Sequence, residues 1–175
     1  MGRLVFLLVL VLGLFFLQTL LLPLPQTRLD LLGLLVFYEG AGPFFLNPIL
    51  LALFLGIVVG SYSTAPLGLQ AGGYLLIVML ARFFRRHLNL QLTIPQILAA
   101  GITLGSQGVV QLWILHILDP GEVFHFQAIR FNLERALVTA LLAPPAFGLW
   151  GWLDNCAKRY FYQSWSASVG HDRSE

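Results

Sequence analysis

The stretch that decides the fold is residues 95–118, PQILAAGITLGSQGVVQLWILHIL. It contains no Asp, Glu, Lys or Arg, and apolar side chains occupy most of its positions. A helix needs roughly 20 mainly apolar residues to cross the hydrocarbon core of a bilayer, because each residue rises only about 1.5 Å along the axis. This stretch is long enough, so the sequence predicts a transmembrane helix here.

The same stretch carries two patterns that bear on packing. Thr103, Gln107 and Gln111 recur at every fourth position, so they lie on one face of a helix. Such a polar stripe suits hydrogen bonds between packed helices, or it lines a cavity for a polar ligand. Gly101 and Gly105 form a G-x-x-x-G motif, which lets two helix backbones approach closely.

Composition extends this interpretation to the whole chain. The 175 residues are 58% hydrophobic and 10% charged, with a mean hydropathy of +0.81, whereas an average soluble domain carries about 25% charged residues. A fold this small cannot bury so much apolar surface, which argues against a soluble globular domain and against a disordered chain. The net charge of +2 gives no reason to expect a nucleic-acid partner. Cys156 is the single cysteine, which excludes an internal disulfide and a multi-cysteine metal site.

We therefore predict an all-α integral membrane protein with one membrane domain over residues 1–175. Six apolar stretches are candidate spans: residues 4–24, 30–42, 44–61, 69–84, 95–118 and 131–153. The second is so short that it is either a thin or tilted span or a re-entrant segment, which leaves five or six spans. Residues 154–175 form a polar cytoplasmic tail, whose aromatic beginning suits either an interfacial segment or a frayed end.

Basic residues set the orientation, because short loops rich in Lys and Arg stay in the cytoplasm. The largest cluster is Arg82, Arg85 and Arg86, at the end of the fourth candidate span. This cluster is cytoplasmic with either five or six spans, and six spans also place both termini in the cytoplasm. It is either an ordinary topology signal or a contact site for a filament or for anionic lipid.

Few ionisable residues fall within the candidate spans. Because charge is costly in lipid, each of them is a candidate for a functional role. Glu134 and Arg135 are neighbours near the outer end of the last span, so their side chains point about 100° apart on a helix. Either both lie in the interface, or one makes an ion pair with a partner protein or another span. Asp30 begins the second span, where a carboxylate stabilises a helix N-terminus.

Motifs for catalysis and metal binding do not occur in the sequence. There is no H-E-x-x-H motif, and the four histidines lie in different segments. Ser106 lies in a Gly-Ser-Gln-Gly stretch, but His116 is about 15 Å further along the same helix and cannot act as its base. We therefore predict a protein that is not an enzyme, with no catalytic residue, no metal site and no cofactor.

The order of the segments resembles one known family, and residues 56–86 carry the most specific part. A span with Gly56 and Gly60 leads into Ser-Tyr-Ser-Thr-Ala-Pro-Leu-Gly-Leu at 61–69, and the next span ends in Arg-Phe-Phe-Arg-Arg at 82–86. The rest of the layout consists of Arg28-Leu29-Asp30, Gly42-Pro43 and Ala143-Pro144-Pro145. This layout is similar to that of the rod shape-determining protein MreD family of bacteria, although Gly60 stands where the family usually has an acidic residue.

The resemblance implies a non-enzymatic scaffold of the cell-elongation complex in the bacterial inner membrane, where it supports rod shape and peptidoglycan synthesis. Its fold is then expected to be similar to the substrate-capture subunits of energy-coupling-factor transporters. The implied partners are MreC, which is a single-span protein with a periplasmic domain, and further members of the complex, namely RodA, its transpeptidase and MreB. The shared layout leaves one alternative, a vitamin-binding solute-capture subunit of such a transporter, whose pocket the polar stripe would line.

Two groups of residues are candidates for functional contacts. The candidates for partner binding or packing are Gly56, Gly60, Pro66, Gly68, Gln107, Gln111, Glu134 and Arg135. The cytoplasmic basic cluster is formed by Arg82, Arg85 and Arg86. We expect contact with membrane lipid and none with nucleic acid. The glycine motifs fit a homodimer as well as packing within one chain.

Overall fold

The structure is a computed structural model that describes residues 9–16, 29–43, 46–63, 66–90, 92–118 and 126–169. Within these residues every regular element is an α-helix, which confirms the all-α class. The helices are α1 (9–16), α2 (Leu31–Gly40), α3 (Leu46–Ser61), α4 (Leu67–His87), α5 (Thr93–Leu118), α6 (Phe126–Leu141) and α7 (Ala143–Val169). The first candidate span, 4–24, lies outside the described residues except for α1.

Length and apolar composition single out α5 as a helix that can cross a membrane. Among the described residues it is the one helix that meets this criterion by itself, and the bent pair α6–α7 meets it if the two count as one span. The helices α2 and α3 are apolar but shorter, with 10 and 16 residues. By these measures the described part contains one helix of membrane-spanning length, or two with the bent pair.

The predicted span 131–153 is interrupted, because α6 ends at Leu141 and α7 begins at Ala143 with a bend of 51° between them. Pro144 and Pro145 explain the break. Proline has no amide hydrogen and clashes with the preceding turn, so it interrupts a helix but is tolerated in a first turn. The helix α7 continues to Val169, so the predicted polar tail from residue 154 begins as helix.

The helix α2 is short and enclosed by its neighbours. Its 10 residues are about 15 Å long, half the thickness of a bilayer core. Leu34, Val36 and Phe37 have no exposed surface, and α2 contacts α3, α4, α5 and α6. A backbone buried in protein is the condition for a re-entrant segment, and the thin or tilted span stays the other prediction for residues 30–42.

Small residues bring two pairs of helices close together. A Cβ atom on Gly56 of α3 would lie 2.3 Å from the Cα of Ala71 on α4, a distance that real atoms do not adopt. On α5, Cβ atoms at Gly101 and Gly105 would lie 3.3 and 3.8 Å from the Cβ atoms of α6 residues Ala140 and Ala136. Both predicted G-x-x-x-G motifs therefore contribute to close packing within one chain.

Candidate functional site

An ion pair between a buried carboxylate and a partly exposed guanidinium joins the start of α2 to α6. Asp30 is only 4% exposed, and its Oδ2 lies 2.7 Å from Nη2 of Arg135. The other carboxylate oxygen, Oδ1, accepts a hydrogen bond of 2.8 Å from the backbone N–H of Gly33, which caps α2. The Asp30 backbone N–H donates to Oγ1 of Thr139 at 3.1 Å. One residue thus anchors the N-terminus of α2 through three separate contacts, because a buried carboxylate needs paired charge and hydrogen bonds to remain stable.

Polar side chains of α5 extend this cluster toward α4. Thr103 and Gln107 are buried, and Nε2 of Gln111 donates to Oε1 of Gln70 at 3.2 Å. Gly73 makes room for them, since a Cβ at that position would lie 2.4 Å from Nε2 of Gln111. We refer to the set Asp30, Gln70, Thr103, Gln107, Gln111, Arg135 and Thr139 as the polar core.

The free space within the polar core is small. A cavity of about 20 Å³ lies among side chains that include Asp30, Gln107 and Asn132, which is enough for about one water molecule. Two buried polar atoms nearby, Oγ1 of Thr103 and Nε of Arg135, have no hydrogen-bond partner among the described residues. An ordered water is the natural partner for such atoms, whereas a vitamin-sized ligand does not fit.

The neighbours Glu134 and Arg135 point in different directions, as their spacing predicted. Glu134 is exposed and pairs with Arg130 one turn earlier, at 2.8 Å between Nε and Oε1. Arg135 instead turns inward to Asp30, which matches the alternative of an ion pair with another segment.

The remaining packing candidates lie on α3 and α4. Gly56 and Gly60 are buried in α3. Pro66 precedes the first turn of α4 as its N-cap and is exposed. Gly68 is also exposed, and a Cβ there would meet no atom of the described residues within 4 Å. The same holds for Gly72, one turn further along α4, so Gly68 and Gly72 form an open glycine ridge on the outside of the bundle.

The basic cluster lies at the opposite end of α4 from the glycine ridge. Nη1 of Arg85 donates to the backbone carbonyl of Gly42 in the turn after α2. A cavity of about 740 Å³ opens beside this contact. Its described lining residues are Tyr38, Glu39, Ala41, Gly42, Pro43, Arg85, Leu88, Asn89, Leu90, Thr93, Gln96, Pro144, Phe147, Gly148 and Asp154. This cavity is of ligand size, and neither Gln107 nor Gln111 of the polar stripe lines it.

Sequence reasoning missed several members of these clusters. The pairing of Asp30 with Arg135 and Thr139 joins residues more than 100 positions apart, and no local spacing indicates such a contact. Gln70 was missed for the same reason. Gly72 could have been found, because Gly68 and Gly72 repeat the G-x-x-x-G spacing that was recognised elsewhere.

Comparison of the chain with protein-family models, with curated proteins and with solved structures found no match. Among the described residues, no group of three or more His, Cys, Asp or Glu side chains is placed to hold a metal ion. The fold and the site define an all-α protein with a buried polar core and at least one helix long and apolar enough to cross a membrane.

Proposed function

We propose that this chain is a multi-pass protein of the bacterial inner membrane that acts as a non-enzymatic scaffold of the cell-elongation complex. Its principal partner in this proposal is MreC, whose single membrane helix packs against the outside of the bundle. The proposal begins from the resemblance to the MreD family and is supported by three features of the structure. These are an apolar exterior, a filled polar core and an open glycine ridge.

The exterior of the bundle is apolar over much of its surface. On α5 the exposed side chains include Ile94 at 71%, Trp113 at 64% and Ile117 at 64%, and on α6 they include Phe131 at 65% and Leu137 at 62%. Soluble monomers rarely expose contiguous apolar patches larger than a few hundred Å². A lipid environment accounts for this surface and favours a multi-pass location.

The polar core argues against the alternative of a solute-capture subunit. Such a subunit needs a cavity for a vitamin-sized molecule, and ligand sites of this kind measure about 300–1,000 Å³. The stripe of Gln107 and Gln111 borders a cavity of only about 20 Å³. The cavity of about 740 Å³ adjoins Arg85, at the end that the positive-inside rule assigns to the cytoplasm. A site for capturing external solute belongs on the other side.

The observation that carries the scaffold proposal is the open glycine ridge of α4. A Cβ at Gly56, Gly101 or Gly105 would meet residues of the chain's own helices, whereas a Cβ at Gly68 or Gly72 would meet none of the described residues within 4 Å. Without a Cβ, a helix surface allows a second backbone to come close enough for extensive van der Waals contact. In the proposal, the membrane helix of MreC crosses α4 at this ridge.

The test is co-purification of the chain from its native membrane in a mild detergent, with identification of bound proteins by mass spectrometry. We expect a stoichiometric single-span protein with a periplasmic coiled-coil domain. The variant Gly72→Leu should lose this partner, because the leucine side chain occupies the space in which the partner helix would lie. The matched control is Gly148→Leu on α7, another exposed glycine where a Cβ would meet no atom within 4 Å in the described part of the chain. It should retain the partner.

Two outcomes would overturn the proposal. Recovery of a vitamin-sized molecule together with transporter ATPases, and no single-span partner, would establish the solute-capture alternative. Equal recovery of MreC by the wild type and Gly72→Leu would show that the ridge is not the docking surface. The stoichiometry of the purified complex also reports whether two copies of this chain are present.

A further inference from the structure

The break between α6 and α7 leaves one backbone carbonyl without a helical donor. In an α-helix the carbonyl of Leu141 would accept from the amide four residues on, and in a tighter turn from the amide three residues on. These two positions are Pro145 and Pro144, and proline has no amide hydrogen. The two hydrogen bonds that form at the break end on the carbonyls of Thr139 and Leu142 instead. The backbone of this stretch therefore cannot satisfy the Leu141 carbonyl.

This carbonyl lies at a depth where a bilayer offers no water. A Cβ on Gly101 of α5 would lie 3.3 Å from the Cβ of Ala140, so Leu141 is close to the level of Gly101. The 26 residues of α5 are about 39 Å long, about 9 Å longer than the hydrocarbon core. Gly101 is about 12 Å from the first residue of α5, so it lies within the core when α5 is centred in the bilayer. An unsatisfied backbone group is costly there, and irregular backbone needs protein to cover it.

The carbonyl lies on the outer side of the bend. The carbonyl of a helical residue runs along the axis toward the residue four positions on, so the oxygen of Leu141 lies beside Pro145, and both residues are exposed. Gly148 is also exposed, and a Cβ there would meet none of the described residues within 4 Å. Trp152 follows one turn later and is exposed. We refer to Leu141, Pro145, Gly148 and Trp152 as the break face.

We propose that the break face binds a transmembrane helix of another protein, which donates a hydrogen bond from a serine or threonine hydroxyl to the carbonyl of Leu141. The ligand must be a donor, because a carbonyl only accepts, and the acyl chains of lipids have no donor. A hydroxyl has a single hydrogen to place, whereas a side-chain amide or an ammonium group brings further polar hydrogens into the hydrocarbon. Gly148 lets the backbone of the second helix come close.

A second copy of this chain does not match the break face. Two parallel copies in one membrane present each residue at the same depth. Ser106 carries a partly exposed hydroxyl in the middle of α5. It follows Gly105, which faces Ala136 on α6. Leu141 is five residues beyond Ala136, or about 7.5 Å along the helix, so Ser106 of a second copy lies at the wrong depth. The occupant is therefore a different protein.

This inference rests on the proposed membrane location and adds a second helix-binding surface to the proposed scaffold. The glycine ridge belongs to α4 and the break face to α6 and α7, so the two surfaces can be changed separately. Gly72→Leu should lose MreC and keep the helix at the break face, whereas Gly148→Leu should keep MreC and lose the other helix. Failure of one proposal is thus distinguishable from failure of the other.

The experiment measures how synthetic membrane-spanning peptides bind to the purified chain in phosphatidylcholine vesicles. The peptides are leucine–alanine helices of about 20 residues with a lysine at each end, a dansyl label, and either serine or alanine at one inner position. Energy transfer from tryptophan reports binding, and Trp152 lies on the break face itself. We expect the best serine peptide to bind about three- to tenfold more tightly than its alanine counterpart, as hydrogen bonds between membrane helices allow. Moving the serine along the peptide should give one depth of tightest binding.

Two proline variants test the carbonyl directly. Pro145→Ala supplies the amide that the Leu141 carbonyl lacks, so this variant should bind the serine and alanine peptides equally. The matched control is Pro144→Ala, whose new amide has the carbonyl of Ala140 as its helical acceptor. It should keep the preference for serine. Gly148→Leu should weaken both peptides, because the leucine side chain occupies the space of the second helix.

Three results would overturn the proposal. Equal affinity of the wild type for serine and alanine peptides at every serine position would show that the carbonyl is not recognised. A serine preference that persists in Pro145→Ala would place the hydrogen bond elsewhere. Self-association of the chain that competes with the serine peptide and disappears in Ser106→Ala would make a second copy the occupant.

Discussion

Two helix pairs in this bundle use the same small-residue packing in different surroundings. At the α3–α4 interface, Gly56 meets the backbone of Ala71, and the buried residues of α3 are apolar. At the α5–α6 interface, Gly105 faces Ala136, and buried polar groups of the polar core lie directly beside this contact. The first interface depends on close fit alone, whereas the second combines fit with directional contacts.

The difference shows how a bundle with few polar residues obtains one defined arrangement. Apolar contact is not directional, so it stabilises several relative positions of two helices about equally. Hydrogen bonds and ion pairs require particular distances and angles, so the contacts of Asp30 with Arg135 and Thr139 fix how α2 sits against α6. The comparison predicts that added side-chain volume destabilises the first interface most, and that loss of individual polar atoms destabilises the second.

The largest effect is expected from Gly56→Leu, which adds a side chain where a Cβ would already lie 2.3 Å from a backbone atom of α4. Overpacking of this kind costs about 3 kcal/mol or more, because the helices must separate. The free energy of unfolding in detergent and the expression level measure the effect. Gly72→Leu is the matched control on the exposed side of α4, and it should remain within about 0.5 kcal/mol of wild type. Equal stability of the two variants would contradict close packing at Gly56.

The next effect is expected from Arg135→Leu, which leaves the Asp30 carboxylate buried without its cation. Breaking a buried pair costs about 3–5 kcal/mol, and we expect about 2–3 kcal/mol here because the Arg135 side chain is 38% exposed. Equilibrium unfolding in detergent provides the measurement. The double variant Asp30→Asn with Arg135→Leu should lose less than the sum of the single variants Asp30→Asn and Arg135→Leu, since neither charge remains. Strict additivity would show that the two side chains do not interact.

A smaller effect is expected from Thr139→Val, which removes the oxygen that accepts the Asp30 N–H. Leaving one buried amide without an acceptor costs about 1 kcal/mol. Hydrogen exchange at the Asp30 amide should become faster, and unfolding should show the matching loss of stability. Thr139→Ser keeps the hydroxyl, so the Asp30 amide should exchange as slowly in this variant as in wild type. If the amide also exchanges at the wild-type rate in the valine variant, the Thr139 hydroxyl does not protect it.

The smallest effect is expected from Arg130→Gln, which removes an ion pair on the surface of α6. Its side chains are 74% and 54% exposed, and exposed pairs one turn apart contribute about 0.3–0.5 kcal/mol. The loss in unfolding free energy should lie in this range. Because Arg130 and Arg135 belong to the same helix, a similar loss in both variants would mean that the Asp30 contact contributes no more than a surface pair.

Local patterns in the sequence were sufficient for the helices themselves. The predicted spans 44–61, 69–84 and 95–118 coincide within a few residues with α3, α4 and α5, because long apolar runs bounded by Gly, Pro and charged residues are a strong local signal. Asp30 was predicted to cap the second segment, and its hydrogen bond to Gly33 confirms the cap. The break at residue 142 was missed even though Pro144 and Pro145 marked it, because the apolar character continues through it.

The contacts among distant residues could not be obtained in the same way. Arg135 follows Glu134 in the sequence, but its guanidinium contacts Asp30 in the folded chain. Only the packing of α2 against α6 decides that Asp30 is its ion-pair partner. The polar stripe of α5 by itself is compatible with a ligand cavity. In the folded chain Gln70 of α4 contacts Gln111, and only about 20 Å³ of free space remains beside the stripe. Whether a glycine is buried, as Gly56 is, or open, as Gly68 is, likewise depends on the facing helix.

The sequence by itself determined the all-α class of the described residues, because apolar runs and the helical spacing of glycines and polar residues are properties of single segments. Tertiary structure alone decided which polar groups became partners, which glycines remained open and where the cavities lie. The physical reason is that helix formation depends on residues three or four positions apart, whereas an ion pair, a cavity or a docking surface requires atoms from separate helices to meet at distances of a few ångström.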